Sequence, residues 1–176
     1  MTFCQTRRLP ITVPAVARAV GGGQAVPDQP QPLAANAVTA AAPAVLDPRR
    51  ISEYHAHVYF DAGSRERAER LRARLADHFG DRIRLGRWKD GPVGPHPKPM
   101  YQVAFEPGLF GEVVPFLMLN REQLDILVHP ESGLGHAGDH AVRRLWLGQP
   151  LPLDIAYLEA YDAEIAAERR KAGSGS

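Results

Sequence analysis

The sequence predicts an α+β domain of β-α-β-β-α-β order: a ferredoxin-like sandwich with an antiparallel sheet and helices on one face, then a C-terminal helix. Three observations predict it. Four segments of strand length, Tyr54 to Phe60, Arg82 to Trp88, Tyr101 to Phe105 and Asp125 to His129, are apolar or alternate apolar with polar residues. Two helically spaced segments stand between the first and second and between the third and fourth of them. Glycine and proline clusters separate the elements. That order is the split βαβ arrangement, in which the first and last strands are neighbours and one sheet face is left for a ligand or a partner.

In the first strand, Tyr54, Ala56, Val58 and Phe60 share one face and His55, His57 and Tyr59 the other. Ser64 is placed to cap a helix whose apolar positions are Ala68, Leu71, Leu75, Ala76 and Phe79, and Gly80 supplies a left-handed stop. Arg65, Arg67, Arg70, Arg72 and Arg74 on it are interleaved with Glu66, Glu69 and Asp77, the pattern of a solvated helix face. After the short second strand, Lys89 to Pro99 is too rich in glycine and proline for regular structure and is read as a mobile lid carrying His96. Leu109 to Arg121 is the second helix, with Pro115 in its first turn or kinking it. Beyond the fourth strand, Asp139 is read as the cap of a short helix ending at Leu147-Gly148. Leu153 to Lys171 is a last helix with Ile155, Leu158 and Ile165 inward, before a flexible Gly-Ser end.

Composition divides the 176 residues into three parts: an extension (1–50), the domain (51–153), and the final helix with its tail (154–176). The first fifty residues hold seven of sixteen prolines and eleven alanines but a single aromatic, Phe3, too little apolar surface to offset the entropy of ordering, so a disordered extension is expected. Pro10 and Pro14 break any amphipathic helix of a transit peptide there. No apolar run approaches the ~20 residues of a membrane span, so a cytoplasmic protein without a membrane partner is expected. Cys4 is the only cysteine and lies in the extension, which removes disulfides and thiolate metal sites from the domain. Residues 51–176 carry sixteen Lys and Arg against eighteen Asp and Glu, so no nucleic-acid partner is expected.

All seven histidines lie between residues 55 and 140. The pair His55 and His57 has H-x-H spacing, and in a strand such residues point the same way about 7 Å apart, close enough for two imidazoles to converge on one ion. His129 ends the fourth strand, beside the first in this topology. His96 and His140 are offered by loops.

These motifs resemble a known family. Tyr54-His55-Ala56-His57-Val58-Tyr59-Phe60-Asp61, Gly94-Pro95-His96-Pro97 leading into Met100 to Phe105, Leu127-Val128-His129-Pro130 with Gly133, and Asp139-His140 with Trp146-Leu147-Gly148 are similar, in that order, to the DOPA 4,5-dioxygenase family over about residues 52–152. Ser132 stands where the family usually has threonine.

The resemblance implies a small, commonly homodimeric ferredoxin-like protein that opens the ring of DOPA or a related catechol beside a hydroxyl, using Fe(II) and O2. Zinc is the alternative occupant in purified protein, and the sequence does not distinguish it from iron. It points to His55, His57 and His129 as metal ligands, with Glu131 or Asp139 as the carboxylate if one completes the site. His96 and His140 are then expected as catalytic acid/base groups, and Tyr101, Arg121 and Ser132 as hydrogen-bond donors to a substrate carboxylate. His78 at a helix end reads as a dipole cap, and Trp88 and Trp146 as core or interface residues. Two other readings use the same residues: a non-catalytic metal-binding or ligand-binding dimer, and a metal-free acid/base enzyme acting on a small aromatic.

Overall fold

A computed structural model of the chain describes residues 44–174. The expected disordered extension lies, for residues 1–43, outside the described residues. Residues 44–50 are exposed and end in a 3-10 turn, Pro48–Arg50.

The elements follow the predicted order with two additions. They are β1 (Glu53–Tyr59), α1 (Arg65–Phe79), β2 (Ile83–Leu85), β3 (Met100–Phe105), α2 (Phe110–Asn120), β4 (Ile126–Glu131), α3 (His136–Ala141), β5 (Leu145–Leu147) and α4 (Ile155–Gly173). The sheet has the order β2-β3-β1-β4-β5 and every pairing is antiparallel. Its first four strands, in the order β2-β3-β1-β4, thus have the arrangement expected of a ferredoxin-like sandwich.

Alternation in β1 sorts the sheet into two faces. Ala56 and Val58 are fully buried in a core with Leu71 and Leu75 of α1, Val113 and Leu117 of α2 and Phe105 of β3. Truncating one of these leucines to alanine typically costs about 2–5 kcal/mol. The other face carries the histidines and a smaller cluster of Tyr59, Met100 and Leu127, against which Trp146, Leu151 and Leu153 pack.

Several elements depart from the sequence expectation. In α1 the buried positions are Ala68, Leu71, Leu75 and Phe79; Ala76, one residue past Leu75 and so rotated off the stripe, is exposed. Ser64 stands at the N-cap position but does not cap. Its hydroxyl donates to Asp61 Oδ1 (2.7 Å) and accepts from the Asp61 N–H (2.8 Å), tightening the turn before the helix. Gly80 adopts the expected positive φ, 57°. The second strand is only three residues long, because after the bond from Gly86 N–H to the Gln102 carbonyl (2.8 Å) the chain bulges out before pairing again at Lys89 and Met100. Pro115 is the sixth residue of α2, inside the helix rather than in its first turn.

The largest correction concerns residues 136–147. Asp139 does not cap a helix running to Leu147; it lies inside the six-residue α3, and Leu145–Leu147 instead pairs with β4 as a fifth strand. Short apolar runs do not reveal this choice, since a free sheet edge decides it. The final helix starts at Ile155, with Asp154 Oδ1 accepting from the Tyr157 N–H (3.0 Å). Of its three expected inward residues, Leu158 is buried and Ile155 and Ile165 are half-buried. Among the described residues no helix is long and apolar enough to cross a membrane.

Candidate histidine site

Register builds the site. His55 of β1 is directly opposite His129 of β4, and His57 is opposite Leu127, so His55, His57, Tyr59, Leu127 and His129 share the face away from α1 and α2. The proline-rich loop lies over that face. Val93 and His96 exchange two backbone hydrogen bonds (3.0 and 3.1 Å), and the Asp154 N–H donates to the Pro95 carbonyl (3.0 Å), tying the loop to the entry of α4. His96 is 6% exposed there, so the segment read as a mobile lid is closed in this structure. From the other side α3 brings His140, whose ring centroid is 3.7 Å from that of His129.

Five histidines therefore converge. Ligand atoms of His55, His57 and His129 lie within 4.8 Å of one another, as do those of His57, His96 and His140, and His57 belongs to both sets. The structure thus brings together the three residues read as ligands and the two read as acid/base groups.

Hydrogen bonds define the protonation of the inner rings. His129 Nδ1 is 3.0 Å from the Pro130 carbonyl oxygen, which only accepts, so Nδ1 carries the proton and Nε2 the lone pair. His57 Nε2 is 3.0 Å from His129 Nε2 and therefore donates to it. His57 Nδ1 is left as a bare acceptor, buried and without a partner. His140 Nδ1 likewise donates to the His136 carbonyl (2.9 Å), which frees its Nε2. His96 Nδ1 pairs with the Tyr59 hydroxyl at 2.7 Å. These tautomers follow from the hydrogen-bond network.

Electrostatics agree. Burial, reinforced by repulsion among the rings, lowers the pKa of His57, His129 and His140 and pushes His96 down to about 4. Four neutral imidazoles thus face one another. Burial opposes protonation of His55 too, but Glu131 and Glu53 outweigh it and raise its pKa. Both its nitrogens are engaged, Nε2 with Glu53 (2.9 Å) and Nδ1 with Glu131 (3.2 Å). A metal ligand needs a neutral ring with a free lone pair, so His55 is the least available of the five.

A divalent metal fits this donor set. An unpartnered, buried imidazole nitrogen on His57 and rings oriented through their second nitrogens by carbonyls are the features of metal-ligating histidines.

The remaining expected residues are placed as follows. Glu131 holds His55 and is 3.8 Å from His129 Nδ1. Asp139 accepts from the Ser132 N–H (2.9 Å), the Ser132 hydroxyl (2.6 Å) and Arg143 Nη1 (2.9 Å), so it and Ser132 fasten α3 to the end of β4. Tyr101 is corrected: it is opposite Val58 in the register and therefore on the helix side, where its buried hydroxyl donates to the Ala68 carbonyl (3.2 Å). Arg121 is also corrected, since its Nη1 donates to the Leu124 carbonyl (2.8 Å) and closes the turn after α2. His78 is exposed and stacks on Phe116 at 4.9 Å, away from the cluster. Trp88 packs on Phe60 and Tyr101.

Three contributors were not read as site residues from the sequence, where Trp146 was expected only as a core or interface residue. Tyr59 bonds His96; the signal for it was its place in the alternation of His55 and His57. Trp146 stacks on Tyr59 at 5.8 Å, and Arg144 donates to the His140 carbonyl (2.8 Å). Both become legible only once Leu145–Leu147 is known to be a strand.

Comparisons with known proteins agree with this architecture. A family model described as the Dopa 4,5-dioxygenase family matches residues 54–157. The chain is 34% identical over 128 residues to a DOPA 4,5-dioxygenase of Amanita muscaria, a match covering 69% of this chain and 55% of that one. It thus spans about half the length of that relative. It is 35% identical over 124 residues to an uncharacterized 21.2 kDa protein of Botryotinia fuckeliana, covering 65% of this chain and 67% of that one. A solved structure of a candidate dioxygenase from Nostoc punctiforme is 56% identical, with a TM-score of 0.64, and the match covers 66% of this chain and 99% of that chain. A family match that runs over more than half the chain and includes every strand and loop bearing the clustered histidines shows that this chain belongs to the Dopa 4,5-dioxygenase family.

Proposed function

We propose that this chain is an extradiol dioxygenase that opens the ring of DOPA or a related catechol with Fe(II) and O2. The observation that carries the reading is the convergence of four buried, neutral histidines on one sheet face in a chain of this family.

His57, His96 and His140 would hold the metal, because all three are buried, have lowered pKa values and touch no carboxylate. The set of His55, His57 and His129 would require Glu53 and Glu131 to release His55. Fe(II) held there would supply the open coordination positions and the redox capacity that ring cleavage by O2 needs.

The protein's own groups do the rest. A catechol must lose a proton to bind as its anion, and His129 Nε2, a lone pair held only by His57 N–H, is placed beside the metal ligands to accept a hydrogen bond from a catechol hydroxyl and so orient the ring. The Tyr59 hydroxyl, whose pKa is raised by burial, stays protonated and orients His96. Trp146, stacked on Tyr59, forms an aromatic wall against which a catechol ring can lie. The closed loop around His96 excludes water, which strengthens each of these interactions.

The test is anaerobic Fe(II) loading of metal-stripped protein, followed by oxygen uptake with L-DOPA, caffeic acid and catechol. Iron-dependent uptake with a new yellow product supports ring cleavage. Tight metal binding with no uptake on any catechol would favour a binding module, and turnover indifferent to stripping would favour metal-free chemistry.

A further inference from the structure

The histidine cluster is shut. His57, His96, His129 and His140 are each no more than 6% exposed, so a ring-sized molecule reaches them only when a wall moves. His57 and His129 stand on strands locked into the sheet by their ladders. The other two come from elements that cannot hold themselves. His96 is on the irregular loop 89–99, and His140 is on α3, whose six residues fall far short of the about 12–15 that an isolated helix needs.

Both of those elements rest on α4. At its entry the Asp154 N–H holds the Pro95 carbonyl (3.0 Å), and the Tyr157 ring lies against Gly94, where an added Cβ would stand 3.5 Å from Tyr157 Cε1. One turn further on, the Tyr161 ring meets the His136 ring at 5.1 Å, and Asp162 accepts from the His136 and Ala137 N–H groups that begin α3. The approach is tight, since a Cβ on Gly135 would be 3.0 Å from Asp162 Oδ2. The two walls of the site are thus fastened to neighbouring turns of one helix.

That helix is itself lightly held. Of its 19 residues only Leu158 is buried, with Ile155 and Ile165 half-buried beside it. An element with so little apolar burial opens more readily than the core it lies on. Leu158, Tyr161, Asp162 and Ile165 also lie beyond residue 157, where the family match ends, so what they do follows from this chain's own contacts.

We propose that α4 is the gate of the histidine site: docked, it fixes His96 and His140 against His57, and its release frees the proline-rich loop and α3 together to admit a ligand. Ring cleavage concerns what happens to that ligand, and the gate stands or falls without it.

Hydrogen exchange on the metal-stripped, full-length protein follows the bonded amides of Val93 and His96 in the loop and of Asp139 and Val142 in α3. The wild type is compared with Tyr157→Ala, which bears on the loop, and Asp162→Ala, which bears on α3. A shared gate makes their effects reciprocal. Each substitution is expected to speed both sets of amides by a similar factor, on the order of tenfold, while the amides of β1 and β3 keep their rates. Diethyl pyrocarbonate, which acylates neutral imidazole nitrogens that solvent reaches, is expected to label His57 faster by the same factor. Acceleration confined to the loop in Tyr157→Ala and to α3 in Asp162→Ala would overturn the gate, because the two walls would then move separately. Acceleration spread equally to β1 and β3, or unchanged labelling of His57 in variants whose amides exchange faster, would overturn it too. None of these measurements uses iron, oxygen or a catechol, so their outcome is separate from that of ring cleavage.

Discussion

His57 Nε2 and His129 Nε2 stand 3.0 Å apart across neighbouring strands, with their rings within 8° of parallel. The contact exists because the β1–β4 register sets His57 opposite Leu127 and His55 opposite His129, making His57 and His129 diagonal neighbours on one face. It makes His57 a donor through one nitrogen and leaves the other bare. Removing either ring therefore disturbs both halves of the cluster. His129→Ala is expected to abolish turnover and to weaken Fe(II) binding by about ten- to hundredfold through loss of an orienting partner, whereas His78→Ala does neither. Isothermal titration with Fe(II) under nitrogen, alongside oxygen uptake, compares the two; equal behaviour would remove His129 from the site.

His55 and His140 separate the two candidate ligand sets. His140→Gln is expected to lose tight Fe(II) binding, while His55→Gln retains it, because the His55 nitrogens already serve Glu53 and Glu131. Metal content after dialysis reads the difference. Loss of iron in His55→Gln with retention in His140→Gln would instead support the His55, His57 and His129 set.

Acid is expected to unfold the metal-free protein early. Four histidines have folded pKa values below the unfolded ~6.5, so as pH falls below that value the unfolded chain binds protons that the folded chain refuses. Their contribution is complete above pH ~6.5 and is lost as pH falls toward the folded values, about 4 for His96. For His96 alone this is on the order of 3 kcal/mol. His55, with its raised pKa, works the other way: its contribution is present below pH ~6.5 and lost as pH rises through its folded value. One such group is outweighed by four. Urea midpoints of stripped protein at about pH 7.5 and about pH 5 should fall on acidification; a rise would contradict the neutral state of the cluster.

Asp139 holds α3 against β4 through three hydrogen bonds while only 2% exposed. Asp139→Ala leaves the Ser132 and Arg143 donors without their acceptor and is expected to cost about 3–5 kcal/mol, with loss of iron affinity because His140 moves with the helix. Urea denaturation measures the first effect. A stability change of about 0.5 kcal/mol or less, the size of an ordinary surface substitution, would show that the helix is held by other contacts.

Asp162 supports the same helix from α4. It accepts from the His136 and Ala137 N–H groups (3.0 and 2.9 Å) and contacts His136 Nδ1 at 2.7 Å. The His136 carbonyl in turn receives the His140 Nδ1 proton. Asp162→Ala is expected to cost about 1 kcal/mol, as for loss of a helix cap. It should also mix the His140 tautomers, visible in imidazole nitrogen-15 shifts. A single unchanged tautomer would confine Asp162 to a stabilising role.

Much of this was readable in the chain. The alternation of Tyr54 to Phe60 sorts core from site correctly, because a period of two leaves no freedom once one face is buried. Topology then sets β4 beside β1, and the register places His129 opposite His55 on the histidine face. What could not be read was register: whether Tyr101 faces helices or histidines turns on a shift of one residue, and nothing in Met100 to Phe105 discloses it. The fifth strand was equally hidden, and with it Arg144 and Trp146. The engagement of His55 by Glu131 depends on side-chain placement across strands, to which sequence spacing is blind, whereas Glu53 stands two residues before His55 on the same face of the same strand.

Ring opening by iron and dioxygen at these histidines would leave both atoms of O2 in the product, and oxygen isotope incorporation reads their fate. Iron-loaded protein given L-DOPA under labelled dioxygen should yield a ring-opened product carrying both oxygen atoms of one O2 molecule, with no product from metal-stripped protein. A product that acquires one labelled atom or none, or that forms equally without iron, would contradict it.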